Sequence, residues 1–361
     1  MSSLEVCRII SEKFKEHIPG VETILMPIAD GGEGTKDCFL AAKEGKRVPI
    51  TVNGPFFDDM DASYALIDGG KTAVIELAVC AGLPLVSGRE NPALTTTYGV
   101  GQMMVHAAEA GASEILVAIG GSSTNDGGCG LASAAGVKFY NKEGKSFVPT
   151  GGTLSDIDRI DVSEVSPALK NVRIRVMCDV VNPFYGKNGA AYIYSPQKGA
   201  DEEMVMILDR GLKNLAKKIK EFTGKDIGEK PGAGAAGGTG GGLAAFFDCT
   251  LEPGIRIMLD AAGFEELAEG CDLILTGEGR VDSQSLHGKV ISGIASRAEP
   301  LGIPVIVIAG ALGDGYEGVY EMGVSAVVFT NRAGLPFEIV KERAKSDLTE
   351  TVDDLIRILK L

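Results

Sequence analysis

Four segments of the chain combine glycines, hydroxyls and carboxylates directly after an apolar run that is typical of a buried strand. They are residues 29–35 (ADGGEGT), 120–128 (GGSSTNDGG), 178–183 (CDVVNP) and 276–285 (TGEGRVDSQS). Loop N–H groups at the start of a helix bind anions, while carboxylates hold Mg²⁺ or accept a hydroxyl proton. Any single loop could be an ordinary helix cap, but the set predicts phosphoryl transfer from a metal-bound nucleotide.

Two further segments have a less specific composition. Residues 232–242 (GAGAAGGTGGG) run straight into the apolar residues 243–247, which favours a ligand-approaching loop over a flexible linker. Lys198 lies in PQKG, where it is either a surface lysine or a phosphate clamp. Two short sequence motifs match known nucleotide-binding patterns but lack the flanking elements that those patterns need. Residues 65–72 read as a hairpin turn rather than a P-loop, and the G-x-G-x-x-G at 232–237 follows a charged loop instead of a strand.

The elements that must position these loops alternate between strands and helices. Apolar runs at 271–276, 303–309 and 326–330 predict parallel strands, with an amphipathic helix over 347–361. A helix at 4–17 and a strand at 23–28 are expected to join that sheet. The middle of the chain predicts a hairpin over 64–77 and strands at 114–119 and 173–180.

This pattern predicts an α/β protein built from two α/β domains. Residues 1–51 and 261–361 are expected to form a discontinuous, Rossmann-like parallel-sheet domain, and residues 52–260 an inserted α/β domain. Ligands in such sheets bind at the carboxyl ends of the strands.

Composition excludes several classes of function. The chain has 361 residues and a formal net charge of −14, which disfavours nucleic acid as a partner. Its seven cysteines are scattered without C-x-x-C, as in a reduced cytoplasmic protein. Three histidines make a zinc site improbable, so a metal would be held by oxygen atoms, which points to Mg²⁺. No apolar run approaches the ~20 residues of a membrane span, and no membrane partner is expected.

Taken together, these segments resemble the type I glycerate kinases, which transfer the γ-phosphate of ATP to D-glycerate. The resemblance extends from about residue 3 to the C-terminus. It is carried by PIADGGEGT, IELAVCAGL, NPALTTTYGVG, IGGSSTNDGGCG, CDVVNP, PQKGA, GAGAAGGTGGG and LTGEGRVDSQSLHGK. It implies a two-domain α/β fold, ATP and Mg²⁺ as cofactors, and 2-phosphoglycerate as the product.

The start of the chain departs from the family pattern. Family members usually open with a strand and a P-D-S-F-K-type loop before the helix that corresponds to residues 4–17, whereas this sequence begins Met1-Ser2-Ser3. A sheet that lacks an interior strand leaves N–H and C=O groups unpaired. We therefore expect a misassigned start.

Hypothetical roles follow for individual residues. The base that takes the hydroxyl proton is expected to be Asp126 or Asp179, with Asp282 next. Glycerate would be held by Lys198 or Arg280, with Asn182 nearby. Mg²⁺ ligands are sought among Asp30, Glu278 and Asp282. The residues expected to bind the nucleotide phosphates are Gly31, Gly32, Gly121, Ser122, Ser123, Thr124, Gly237, Gly238 and Gly240. Sequence alone does not separate a base from a metal ligand, because both roles require a carboxylate. An open cleft between the domains is expected to close on the substrate and exclude water.

Other functions stay open at this stage. A kinase of another small hydroxy acid shares every motif above, and a homodimer is compatible with the sequence. A non-enzymatic small-molecule binder or regulator would lack the carboxylate cluster, and a regulator would add a basic DNA-binding segment. A nicotinamide dehydrogenase is disfavoured because the glycine fingerprint has no preceding strand.

Overall fold

The chain divides into two units that each carry their own sheet. The computed structural model describes residues 1–29, 31–286 and 290–360. Unit 1 comprises Met1–Asp30 with Ile255–Leu361, and unit 2 comprises Gly31–Gly254. Residues 31–51, assigned above to the discontinuous domain, lie in unit 2. The reason is local, because the strand Gly45–Asn53 pairs along its whole length with Asp59–Ile67.

Unit 2 is built on a six-stranded mixed sheet with the order β1-β2-β3-β4-β8-β9. Its strands are β1 (Gly45–Asn53), β2 (Asp59–Ile67), β3 (Thr72–Glu76), β4 (Glu114–Ala118), β8 (Arg173–Met177) and β9 (Cys249–Glu252). A small antiparallel sheet contains β5 (Lys138–Tyr140), β6 (Ser146–Phe147) and β7 (Arg159–Asp161). β1, β2 and β3 are antiparallel neighbours, whereas β3, β4, β8 and β9 run parallel. The predicted hairpin around residues 68–70 is confirmed as the β2–β3 connection.

The four parallel strands end in register. Glu76 pairs with Ala118, Ala118 with Met177, and Met177 with Glu252. Because parallel strands point the same way, the loops that follow these residues leave the sheet at one edge. This edge places residues 120–128 and 178–183 next to each other.

Helices cover the sheet of unit 2. They are α2 (Thr35–Ala42), α3 (Ala78–Ala81), α4 (Tyr98–Glu109), α5 (Cys129–Ala134), α6 (Ala190–Tyr194), α7 (Glu202–Thr223) and α8 (Ala235–Phe246). α7 is the clearest amphipathic example, because Leu208, Leu212, Leu215 and Ile219 are buried on one face. Asp201 caps its N-terminus by accepting from Met204 N at 2.8 Å. These side chains join one continuous core with the sheet.

Unit 1 is a three-layer arrangement around a parallel sheet. The strands are β10 (Ile274–Val281), β11 (Val305–Leu312) and β12 (Val324–Phe329), and the helices are α1 (Ser3–His17), α9 (Gly254–Ala262), α10 (Phe264–Ala268), α11 (Val290–Ala298) and α12 (Phe337–Leu359). Val307 packs with the α11 side chains Ile291 and Ala295, whereas its neighbour Ile308 packs with α1 and α12. This alternation is the period of two that a strand imposes, and it buries both faces of the sheet.

One predicted strand of unit 1 is wrong. Residues 23–28 are extended, but they form no ladder with β10 or with the other described strands. Their apolar side chains instead line a cavity of about 1480 Å³, whose wall also includes residues of α1, β10 and α12. A strand needs a partner at hydrogen-bonding distance, and no strand of the described residues pairs with this stretch.

Crossing a bilayer requires a helix that is both long and apolar, and this can be asked of the helices in the described residues. None of them combines the two properties.

Candidate active site

Asp126 is the most deeply buried acidic residue of the glycine-rich loops. Its side chain is inaccessible to solvent, and its two oxygens accept four hydrogen bonds. The donors are Thr97 N and Thr97 Oγ1 at 2.8 Å, Gly128 N at 3.0 Å and Gly130 N at 3.1 Å. Burial raises the pKa of Asp126, and these donors oppose the rise by stabilising the charged form. The geometry is that of an anchor for the start of α5.

Lys198 is buried next to the same loop. Its side-chain nitrogen donates to Ser122 Oγ at 2.7 Å and to the Thr124 carbonyl at 2.8 Å. The residue is only 2% exposed. Burial lowers the pKa of Lys198 to about 7, against the opposing attraction of Asp126. Lys198 therefore holds the loop 120–128 from within and does not reach solvent.

The glycine-rich start of α8 packs directly against this loop. Gly237 has φ +67°, and a Cβ there would lie 2.0 Å from the Thr124 carbonyl oxygen. Gly127 N donates to the Gly237 carbonyl at 3.0 Å. A side chain would exclude both the conformation and the contact. Gly238 and Gly240 are buried in the same turn, so this segment is a packing surface inside unit 2 and not a flexible linker.

The loop after residue 30 joins the same edge of the sheet. Gly120 N donates to the Gly31 carbonyl at 3.0 Å. Thr35 Oγ1 donates to the Gly32 carbonyl at 2.7 Å. Gly31 is buried, whereas Gly32 and Gly121 have solvent-accessible surface. Two glycine-rich loops therefore meet at the carboxyl ends of β3 and β4, with part of their backbone facing solvent.

Asp179 and Asn182 follow β8 at this edge. Asp179 is exposed, and its Oδ1 accepts a hydrogen bond from Gly254 N at 2.8 Å. Asn182 is half-buried between Tyr194, whose hydroxyl donates to Oδ1 at 2.6 Å, and the carbonyl of Asn188, which accepts from Nδ2 at 2.8 Å. Of the two aspartates first considered as a base, only Asp179 is at the surface of unit 2.

Unit 1 carries its polar group at the end of β10, which extends through residues 277–281 of the predicted loop because these residues pair with β11. Ser285 Oγ donates to Glu278 Oε2 at 3.0 Å and accepts from the backbone N of Asp282 at 3.4 Å. Arg280 Nε lies 3.2 Å from Asp282 Oδ2, and the arginine side chain is 67% exposed. This group therefore presents the Arg280 guanidinium and the half-buried Asp282 carboxylate with less burial than Asp126, whereas Oε1 of the half-buried Glu278 is enclosed.

Mg²⁺ prefers oxygen ligands, and the carboxylates of Glu278 and Asp282 supply them in unit 1. Within the described ranges, no three His, Cys, Asp or Glu side chains are grouped as a metal cluster. Mg²⁺ in phosphoryl-transfer sites is usually held by one or two carboxylates together with waters and phosphates. Glu278 and Asp282, joined through Ser285, fit that smaller requirement. Asp30, the third predicted ligand, lies outside the described residues.

Comparison with known proteins identifies the family. The model of the glycerate kinase family matches residues 1–360. A glycerate kinase of Halalkalibacterium halodurans is 45% identical over 90% of this chain and 86% of its own length. A glycerate 2-kinase of Escherichia coli is 44% identical over 91% and 86%.

The chain belongs to the glycerate kinase family.

The fold of this kinase agrees with that assignment. A crystal structure from Salmonella typhimurium, described as that of a glycerate kinase 2, superimposes with a TM-score of 0.88 at 37% identity. The match covers 100% of this chain and 95% of the other. The predicted α/β class and the predicted enzyme class are therefore confirmed.

Within this kinase, unit 2 brings together most of the residues singled out from the sequence. Ser122, Ser123 and Thr124 are buried. Ser123 Oγ donates to the Ala81 carbonyl at 2.9 Å, which ties the loop to α3. Among the described residues, Thr124 Oγ1 and Asn125 Nδ2 are buried without a hydrogen-bond partner. Glu278, Arg280 and Asp282 form a separate group in unit 1.

Sequence reasoning missed several residues that hold the loops. Thr97 supplies two of the four hydrogen bonds to Asp126. Glu76, at the end of β3, is buried and accepts from the Lys36 backbone N at 2.7 Å. Thr97 and Glu76 both lie in segments that carry the family resemblance, NPALTTTYGVG and IELAVCAGL. For Glu76, the signal in the sequence was an acidic residue at the end of an otherwise apolar strand.

Proposed function

We propose that the chain catalyses the ATP-dependent phosphorylation of D-glycerate to 2-phosphoglycerate and ADP. The observation that carries this proposal is the meeting of two glycine-rich loops and Asp179 at the carboxyl edge of a parallel sheet. Such an edge is where α/β proteins bind ligands. The E. coli relative, named a glycerate 2-kinase, supports both the acceptor and the position that is phosphorylated.

The phosphates of ATP would bind to backbone N–H groups of the two loops. Three glycines belong to this backbone. Gly32 and Gly121 have accessible surface, and Gly31 accepts the hydrogen bond from Gly120 N that joins the two loops. The buried Ser122, Ser123 and Thr124, like Gly237, Gly238 and Gly240, would shape the loops from behind. In this proposal the exposed backbone contacts the phosphates, and the buried residues keep the loops rigid.

Asp179 is the proposed base. The glycerate hydroxyl oxygen forms a bond to the γ-phosphorus of ATP, the bond from that phosphorus to the bridging oxygen of ADP breaks, and the hydroxyl proton passes to the Asp179 carboxylate. Its hydrogen bond from Gly254 N orients one carboxylate oxygen. Asp126 becomes a positioning residue, because four donors already occupy its oxygens.

The remaining charged groups divide by exposure. Arg280 is the proposed partner of the glycerate carboxylate, because its guanidinium is accessible and suits bidentate binding. Asn182 would contact the substrate near Asp179. Glu278 and Asp282 would hold Mg²⁺, together with Asp30. When bound, Mg²⁺ neutralises charge on the transferred phosphoryl group.

A coupled ADP-release assay with a panel of small hydroxy acids tests the proposal. We expect turnover to be highest with D-glycerate and to require ATP, and NMR of the product to show the phosphate on the C2 oxygen. Equal turnover of other hydroxy acids would reject glycerate as the substrate. A phosphate on the C3 oxygen would reject the proposed product while leaving the kinase assignment intact.

A further inference from the structure

A buried ion pair lies beneath the glycine loop 31–34 and has no role in the chemistry proposed above. Lys36 is the second residue of α2, and Glu76 is the last residue of β3. They are 7% and 2% exposed. The Lys36 side-chain nitrogen lies 3.5 Å from Glu76 Oε2 and donates to the Ser63 carbonyl of β2 at 3.3 Å. Two opposite charges are thus held inside the protein.

The Glu76 carboxylate also caps α2. Its Oε1 accepts from the Lys36 backbone N at 2.7 Å, whereas Gly34, at the usual cap position, has no side chain to do so. The N-terminus of a helix favours a negative charge. Here the charge comes from a neighbouring strand, so the start of α2 is tied to the end of β3.

The loop before α2 is therefore held at both ends. At one end Gly31 is joined to Gly120, which lies two residues after β4 and precedes the exposed Gly121. At the other end Thr35 bonds to Gly32, and Lys36 bonds to Glu76. The exposed backbone between these points has little freedom to move relative to the sheet edge.

Stability alone does not require charges at these two positions. A buried ion pair carries a desolvation cost, and an apolar pair of similar volume is often as stable. What an apolar pair would lack is the directed hydrogen bond from the Lys36 backbone to a strand end. The charged pair thus gives a fixed geometry that simple packing would not.

We propose that Lys36 and Glu76 are a positioning pair, which holds the backbone of loop 31–34 in the orientation that binds the phosphates of ATP. This inference rests on the proposed function. Neither side chain contacts substrate in it, since both act through the loop.

Three variants test the pair. Glu76→Gln and Lys36→Met each leave one buried charge without its partner, and we expect both to lower the melting temperature. The double variant Lys36→Met/Glu76→Gln has no unpaired charge and should recover most of that loss. Its KM for ATP should nevertheless stay about tenfold above wild type, because the neutral amide oxygen at position 76 accepts from the Lys36 backbone N more weakly than the carboxylate does, with a smaller change in the KM for glycerate. An exposed pair, Lys138 with Glu164, gives the matched control Lys138→Met/Glu164→Gln, in which neither quantity should change.

Amide hydrogen exchange provides a readout that does not depend on catalysis. In the double variant, the peptide covering residues 31–36 should exchange about tenfold faster than in wild type, while peptides from β4 and β8 stay protected. A double variant with recovered stability, wild-type exchange and wild-type KM for ATP would overturn the positioning role. If the wild-type chain itself shows no ATP-dependent turnover, the proposed function fails, and the exchange result still decides whether the pair orders the loop.

Discussion

Charged residues lie close to glycines in the sequence of both units, but the structure buries them to different degrees. In unit 2, Asp126 and Lys198 are buried; Asp126 accepts from Thr97 and from the start of α5, and Lys198 donates to the loop 120–128. In unit 1, Glu278 and Arg280 lie at the end of β10 and Asp282 directly follows it; Arg280 is exposed, and both carboxylate residues are half-buried. A carboxylate beside glycines can therefore serve either to shape backbone or to meet a ligand. The degree of burial of the carboxylate distinguishes these two roles.

The strongest test of this contrast is Asp126→Asn. The substitution removes the charge and turns an NH₂ group toward backbone donors. We expect the free energy of unfolding to fall by about 3–5 kcal/mol, as for a buried charged group whose partners lose their acceptor. Urea unfolding measures this, with the exposed Asp58→Asn as control. A variant of wild-type stability that loses more than a hundredfold in kcat would show that Asp126 is the base after all.

Asp282→Asn should show the opposite behaviour. We expect kcat at low Mg²⁺ to fall about a hundredfold, the usual scale for a directly acting polar group, while the free energy of unfolding changes by about 0.5 kcal/mol or less. Excess Mg²⁺ should restore part of the rate if the residue is a metal ligand. Kinetics at several Mg²⁺ concentrations, combined with urea unfolding, check both expectations. A loss of stability similar to that of Asp126→Asn would remove the distinction between the two units.

Lys198 predicts a pH dependence of stability. Its pKa is about 7 in the folded chain, compared with about 10.4 for an unperturbed lysine. Between these values the unfolded state binds more protons, so the free energy of unfolding rises with pH.

The expected gain from this lysine between pH 7 and pH 9 is about 2 kcal/mol. Other groups titrate in the same range, and the difference between wild type and Lys198→Met isolates the contribution of Lys198. Urea unfolding at pH 7, 8 and 9 measures it. Parallel pH profiles for the two proteins would mean that the amine is not desolvated as the structure shows.

The smallest expected effect belongs to Arg280→Gln. Losing one guanidinium–carboxylate contact should raise the KM for glycerate about tenfold, with kcat and stability nearly unchanged because the side chain is exposed. Arg173→Gln is the matched control, since Arg173 is equally exposed but lies at the start of β8. Steady-state kinetics with saturating ATP check the prediction. An unchanged KM would return the carboxylate-binding role to another residue.

Much of the fold could be predicted because its signals are local. Apolar runs identified the strands β4, β8, β10, β11 and β12, and the residues 68–70 identified the β2–β3 hairpin. The exception, residues 23–28, has the correct pattern for a strand. It fails because a strand also needs a neighbour, and the pattern of one segment does not show what lies beside it.

The candidate site was predictable to a lesser degree. The glycine-rich loops around Gly31 and Gly121 were recognised, and they meet as expected at one sheet edge. The burial of Asp126 was not foreseen, because two of its hydrogen bonds come from Thr97, which is 29 residues away. The Lys36–Glu76 pair was missed because 40 positions separate its members in the chain.

The sequence by itself determined the α/β class, the order of strands and loops along the chain, and the family, since these depend on local periodicity and on the identity of short segments. Only the tertiary structure decided which charged residues hold backbone and which face solvent. Burial and hydrogen-bond partners are set by residues that are distant in the chain and adjacent in space. The aspartate side chain is therefore a buried anchor at position 126 and an accessible group at position 179.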